Sequence, residues 1–219
     1  MHSTPQHFPH SGKFLAPDRR LPPQKIAAAR QLLLGELKAL VADHGLRLET
    51  GGNPDEPMFR QPGLSLSWLC DVAEAGLKRL ARRFSADLIG GANVTRLDRA
   101  ITLGHPRLPY RRALRIAAAR GWRLTLGDDL TPDAQASLIR FCGLLPMQVL
   151  YLPGQPQPAS LAPDRQGFSY LLPWGGPAVQ AELPLPGVAG HAVCRFRSDR
   201  LLQFVLGLAD PANLRESGD

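Results

Sequence analysis

Cysteine is scarce and scattered. Cys70, Cys142 and Cys194 are the only three in 219 residues and form no CxxC pair, so the sequence offers neither a disulfide framework nor zinc-ligand spacing. It fits a reducing, cytoplasmic setting. No apolar run approaches the ~20 residues of a membrane helix, and the N-terminus lacks the apolar core of a secretory signal. Gly90 and Gly91 stand together without GxGxxG or Walker spacing, which points to a flexible connection and not a phosphate loop. His44, His105 and His191 fall in no Ser–His–Asp or metal-ligand pattern, so hydrolase chemistry has no footing. No internal repeat is present.

What the chain does contain is a large apolar fraction, 44%, and a net charge of +7. The first supports one domain with a substantial core. The second is compatible with an anionic partner, nucleotide or RNA, and equally with an ordinary arginine-rich surface. Residues 1–23 are rich in proline and histidine and read as a disordered tail. His2, His7 and His10 lie in it, and disorder explains them better than a metal site. The remainder, 24–217, reads as a single domain.

Within it, Ile26, Ala29, Leu33, Leu37, Leu40 and Val41 form one helical stripe over 25–44, closed by Gly45. Residues 46–50 alternate as a strand. Residues 58–71, MFRQPGLSLSWLCD, read as strand, turn at Gln61-Pro62-Gly63, and second strand, with Leu64, Leu66, Trp68 and Cys70 on one face. A helix over 71–84 turns Val72, Leu77, Leu80 and Phe84 inward and Lys78, Arg79, Arg82 and Arg83 outward. That basic face suits either RNA or solvent. Helices are expected over 94–103, 109–120 and from Pro132 to near Gly143 with Thr131 as N-cap, and a short strand over 124–126. Asp128 and Asp129 precede the last of these helices, where turn and dipole roles account for them better than metal binding. Strands over 147–152, 168–173 and 178–183 follow. The fold class is α+β: an antiparallel sheet flanked by helices.

Residues 191–208, HAVCRFRSDRLLQFVLGL, hold the rest together. Ala192, Cys194 and Phe196 alternate with Val193, Arg195 and Arg197 as a strand. Ser198 suits an N-cap, and Leu201, Leu202, Val205 and Leu208 form a helical stripe. Arg200 lies in the first helical turn. Such a strand–helix junction either holds a phosphate on free N–H groups and a cation or is core packing with a surface arginine.

Taken in order, these blocks resemble the catalytic domain of class II aminoacyl-tRNA synthetases, in the asparaginyl/aspartyl branch that includes synthetase-like asparagine synthetases. The most specific stretch is 105–153, HPRLPYRRALRIAAARGWRLTLGDDLTPDAQASLIRFCGLLPMQVLYLP, through Pro106, Arg107, Tyr110, Ala113, Gly127, Asp129, Leu130, Leu138, Pro146 and Pro153. Residues 198–216 resemble motif 3 and its continuation, 25–50 resemble motif 1, and 58–71 resemble motif 2 with a shortened loop. Residues 168–182 resemble the strand pair before motif 3. The anticodon-binding OB-fold domain has no counterpart.

The resemblance implies ATP as co-substrate, with Arg60 (motif 2) and Arg200 (motif 3) as catalytic, phosphate-holding residues, and Asp199 and Arg197 beside them in the nucleotide site. It also implies a homodimer through 25–50. Departures accompany it. The acidic residue two places after Arg60 is replaced by Pro62. The Mg2+ carboxylates of the family are replaced by Pro177 and Ser169, so no metal ligand is assigned. Motif 3 glycines are replaced by Arg195 and Arg197, which either substitute for the lost metal charge or fill the pocket. Glu182 is a carboxylate without a matched role. Two functions follow: a degenerate ligase that forms an acyl-adenylate from an amino or carboxylic acid for a non-tRNA acceptor, or a catalytically inactive relative that serves as dimerisation partner, regulator or RNA-binding module.

Overall fold

The computed structural model describes residues 22–50, 53, 55–87, 92–173, 176–208 and 214, with 87 and 92–94 described by their backbone only. Residues 1–21 of the expected tail, Gly90-Gly91 and most of 209–219 lie outside the described residues, and the end of that tail, Pro23, begins a helix.

Helix α1 spans Pro23–Asp43, and its buried residues are the six of the expected stripe. It stops because Gly45 adopts φ +70°. Its N–H and that of Leu46 return to the carbonyls of Ala42 and Val41, the paired closure that a left-handed glycine permits. Strand β1, Met58–Pro62, follows. Residues 46–50 contribute no strand, only a bridge from Glu49 to Met58.

The second strand expected after Gly63 is a helix. α2 runs Leu66–Asp87. Ser65 Oγ accepts the Trp68 N–H at 3.2 Å, which caps the helix, and Leu69, Cys70, Ala73, Leu77, Leu80, Ala81 and Phe84 are buried along one side. Its basic side is largely matched by acids. Lys78 pairs with Glu74 at 2.8 Å, and Arg79 with Glu36 at 2.8 Å and Asp43 at 2.6 Å, the last two on α1.

Helix α3 (Ala92–Thr102), strand β2 (Arg107–Pro109), helices α4 (Tyr110–Ala119) and α5 (Pro132–Phe141), strands β3 (Met147–Tyr151), β4 (Arg165–Leu171), β5 (Pro177–Pro184) and β6 (His191–Phe196), and helix α6 (Ser198–Leu206) complete the order. Thr131 caps α5 by accepting the Ala134 N–H. Residues 124–126 form no strand and lead into a turn at Leu126-Gly127, where the Asp128 carboxylate accepts the Thr125 N–H at 2.7 Å and its hydroxyl at 2.9 Å. Ser198 is not a side-chain cap. The N-cap position is Arg197, and the Ser198 N–H is taken by the Asp55 carbonyl.

The six strands form one sheet in the order β1-β6-β5-β4-β3-β2. Every pairing is antiparallel except β2 with β3, which is parallel. One face carries Phe59, Phe168, Tyr170, Val179, Ala181, Cys194 and Phe196, packed under α1, α2, α3 and α6 in the larger core. On the other face α4 and α5 cover Leu108, Met147, Val149 and Leu171 in a second core. That cover stops at the β2–β3–β4 end. The same face of β5, β6 and β1 carries Gln180, Glu182, Val193, Arg195, Met58 and Arg60, none of them fully buried.

His105 fixes the far end of the larger core. Its ring is 5% exposed. Nδ1 accepts from the Tyr170 hydroxyl and Nε2–H donates to the Ala100 carbonyl, so the neutral imidazole is satisfied at both nitrogens. Burial holds its pKa below the ordinary 6.5. A histidine depressed in the folded state contributes stability that is complete above the unfolded pKa and is lost as pH falls below it. The melting temperature is therefore expected to fall between pH 7 and about 5.5. His105→Gln flattens that part of the profile. An equally steep profile in the variant assigns the acid sensitivity elsewhere.

Candidate functional site

The floor over β5, β6 and β1, which no helix among the described residues covers, is the candidate site. β6 presents Val193, Arg195 and Arg197 to it because Ala192, Cys194 and Phe196 must face the larger core. β1 is set by the register Phe59↔Cys194 and Arg60↔Val193, so burial of Phe59 turns Arg60 outward. Arg197 extends β6 by one residue, its N–H bonding to the Ala178 carbonyl at 2.8 Å. Arg200 follows in the first turn of α6, where its side chain lies against Gly176. A Cβ on that glycine would come within 3.4 Å of the Arg200 Nε.

The structure puts Arg60 on β1 and Arg200 in the first turn of α6 and does not join them. Arg60 lies opposite Val193, with Met58 Sδ at 3.7 Å and the Glu49 carboxylate at 3.9 Å. Arg200 donates to Gln203 Oε1 at 3.2 Å and pairs with Asp199 at 3.7 Å. Among the described residues no hydrogen bond or ion pair links the two guanidinium groups through a shared partner.

Each arginine of the floor is instead paired with a carboxylate of its own chain. Arg195 reaches Glu182 at 3.1 Å across the β5–β6 pair. The register sets Gln180 opposite Arg195 and Glu182 opposite Val193, so this is a diagonal cross-strand pair. Arg197 lies 3.7 Å from Glu56 and 3.6 Å from Asp199. With Arg200 on Asp199 and Arg60 near Glu49, four guanidinium groups face four carboxylates. Sequence reasoning left Glu182 without a role and missed Glu56 and Glu49. Only the diagonal of the β5–β6 hairpin was open to inference from strand alternation.

Among the described residues no three His, Cys, Asp or Glu side chains gather as metal ligands. Ser169 is bonded by the Tyr151 hydroxyl at 2.9 Å, and Glu182 is engaged by Arg195. The Asp128–Asp129 pair is also occupied locally, Asp129 by the Ser160 hydroxyl at 2.5 Å.

Asparaginyl-tRNA synthetase from Pyrococcus horikoshii superposes on 90% of this chain with a TM-score of 0.66 and 13% identity, and 67% of its own length is covered. The fold is that of a class II aminoacyl-tRNA synthetase catalytic domain. The Entamoeba histolytica asparaginyl enzyme, solved in complex with asparaginyl-adenylate, matches 88% of the chain at 12% identity and a TM-score of 0.60, over 66% of its length. Aspartyl-tRNA synthetase from the same organism matches 88% at 13% identity and 0.55, over 57% of its length. The chain thus spans between about half and two thirds of such synthetases. No family model and no curated protein matches at the level of sequence. The strand–turn–strand expected over 58–71 and likened to motif 2 keeps only its first strand, β1, and α2 begins at Leu66. Among the described residues no helix is long and apolar enough to cross a membrane.

Proposed function

We propose that this protein is a catalytically silent member of the synthetase fold that works as a binding and dimerisation module. The observation that supports this reading is the internal neutralisation of the floor. Adenylate chemistry needs guanidinium groups free to take phosphate charge as it develops. Here Arg195, Arg197 and Arg200 already face Glu182, Glu56 and Asp199. ATP–pyrophosphate exchange with magnesium and a panel of amino and carboxylic acids is expected to stay at background. Exchange with any one of them overturns the reading.

The dimerisation half rests on α1. Outside its buried stripe the helix still carries Ala28, Leu32, Gly35, Ala39 and Ala42, all at least partly exposed, spaced as a second apolar seam. Light scattering on the eluted protein is expected to give twice the chain mass. Ala39→Glu, which sets a charge in the seam and leaves the buried stripe intact, is expected to shift it to a monomer. A monomeric parent removes this half of the proposal.

One observation favours a second reading, nucleotide activation for a non-tRNA acceptor. The Arg200 Nε is buried and makes no hydrogen bond among the described residues, its Asp199 ion pair at 3.7 Å being too long for one, so an oxyanion that displaced Asp199 would find a donor there. In this reading Arg200 and Arg60 hold ATP, with Arg197 and Asp199 beside them. The exchange measurement separates the two readings.

A further inference from the structure

A cluster of arginines without a carboxylate partner among the described residues lies elsewhere, on α4 and its C-cap. Arg111, Arg112, Arg115 and Arg120 are exposed, and among the described residues none of their side chains forms a hydrogen bond or an ion pair. Eight other arginines, from Arg30 to Arg200, each have a carboxylate within 4.0 Å. These four flank a cavity of about 670 Å3 between α4 and the end of α5. Its floor is apolar, formed by Pro109, Ile116 and Ala119, and its far wall is Phe141, which is 50% exposed. Arg111 and Arg115, one helical turn apart, also border a second depression closed by Leu126, 56% exposed. A solvated basic helix accounts for the charges but not for the apolar hollow beneath them.

We infer that this groove receives an acidic amphipathic helix of a partner protein. Aliphatic anchors one turn apart would enter the hollow, as in other helix-in-groove complexes. Flanking Asp or Glu side chains would meet the guanidinium forks, whose planar geometry suits carboxylates. The groove favours this occupant over a nucleic acid because bases need open ring faces for stacking. The single aromatic ring lining the cavity, Phe141, already carries the Arg120 guanidinium 5.3 Å from its centroid, and the rest of the floor is aliphatic. The inference does not depend on what happens at the sheet floor.

The test uses the whole chain. A random library of helical peptides is selected on it, and the best binder is labelled and titrated by fluorescence anisotropy. Enriched sequences are expected to combine acidic residues with aliphatic residues at i, i+3, i+4 and i+7. Arg111→Glu/Arg115→Glu is expected to raise Kd by about tenfold or more through like-charge repulsion, and Phe141→Ser by a smaller factor, with melting temperatures unchanged because these side chains are exposed. The inference is overturned by any of three results: enriched peptides without the acidic amphipathic pattern, binding that survives the double charge reversal, or a labelled oligouridylate that binds through the same arginines more tightly than any peptide.

Discussion

Replacing Gly167 by alanine is expected to lower the melting temperature by roughly 5–10 °C, the result of about 2–3 kcal/mol of overpacking in a domain of this size. Gly167 lies in β4 opposite Glu182 of β5. A Cβ built on it would fall 2.0 Å from the Ala181 carbonyl oxygen, 3.1 Å from its carbon and 3.3 Å from the Glu182 Cα. All three are backbone atoms, so no rotamer change relieves the contact and the β4–β5 ladder itself must move. That ladder sits in the middle of the sheet, between the strand under α4 and the strand that carries Arg195. Alanine at Gly76 meets only the Leu40 Cδ2 at 2.4 Å, the end of a flexible side chain, and should cost less. Thermal melts of the two variants rank them, and a Gly167→Ala protein that melts with the parent shows that the strands separate more easily than this packing allows.

The contrast between these glycines bears on what a linear reading can reach. The α1 stripe, the Thr131 cap of α5, β3, and the alternation of β6 and the stripe of α6 were legible because each rests on a local period or a cap motif, whereas the Ser198 cap expected between the last two is not made. The start of α2 was not. Leu64, Leu66, Trp68 and Cys70 alternate as a strand would, and over so few residues a period of two and a helical period overlap. What decides it is the Ser65 cap followed by Leu69, Ala73 and Leu77 on one side, a stripe that continues unbroken from Cys70 into a segment already read as helix. β2 escaped because it has three residues, includes a proline, and pairs in parallel with β3. The floor was legible only on its cationic side. Glu56 meets Arg197 from a distant part of the chain, and no spacing rule connects them. Arg195 and Arg197, open between replacing metal charge and filling the pocket, turn out to face carboxylates, which favours neither role in its simple form.

That pairing also sets the second large expectation. A Glu182→Gln/Asp199→Asn double variant is expected to bind inorganic tripolyphosphate at least tenfold more tightly than the parent. Both substitutions keep the shape of the side chain and remove one negative charge. They release Arg195 from its 3.1 Å partner and leave Asp199 unable to serve Arg197 and Arg200, now 3.6 and 3.7 Å away. A charge-assisted hydrogen bond contributes about 1.5–3 kcal/mol, so even one new phosphate contact made by a freed guanidinium reaches that factor. The pairs are partly exposed, with Arg195 at 38% and Glu182 at 37%, so the parent loses little by their removal. The first turn of α6 loses a favourable dipole contact of about 0.3–1 kcal/mol, a shift small enough for the variant to stay folded. Isothermal titration at low salt reads the gain, and added salt should erase it, because exposed charges are screened. If the double variant folds and gains nothing, the carboxylates are not what keeps phosphate off this floor. If the parent already binds as tightly, the arginines were never neutralised, and the silent reading of the site falls with that result.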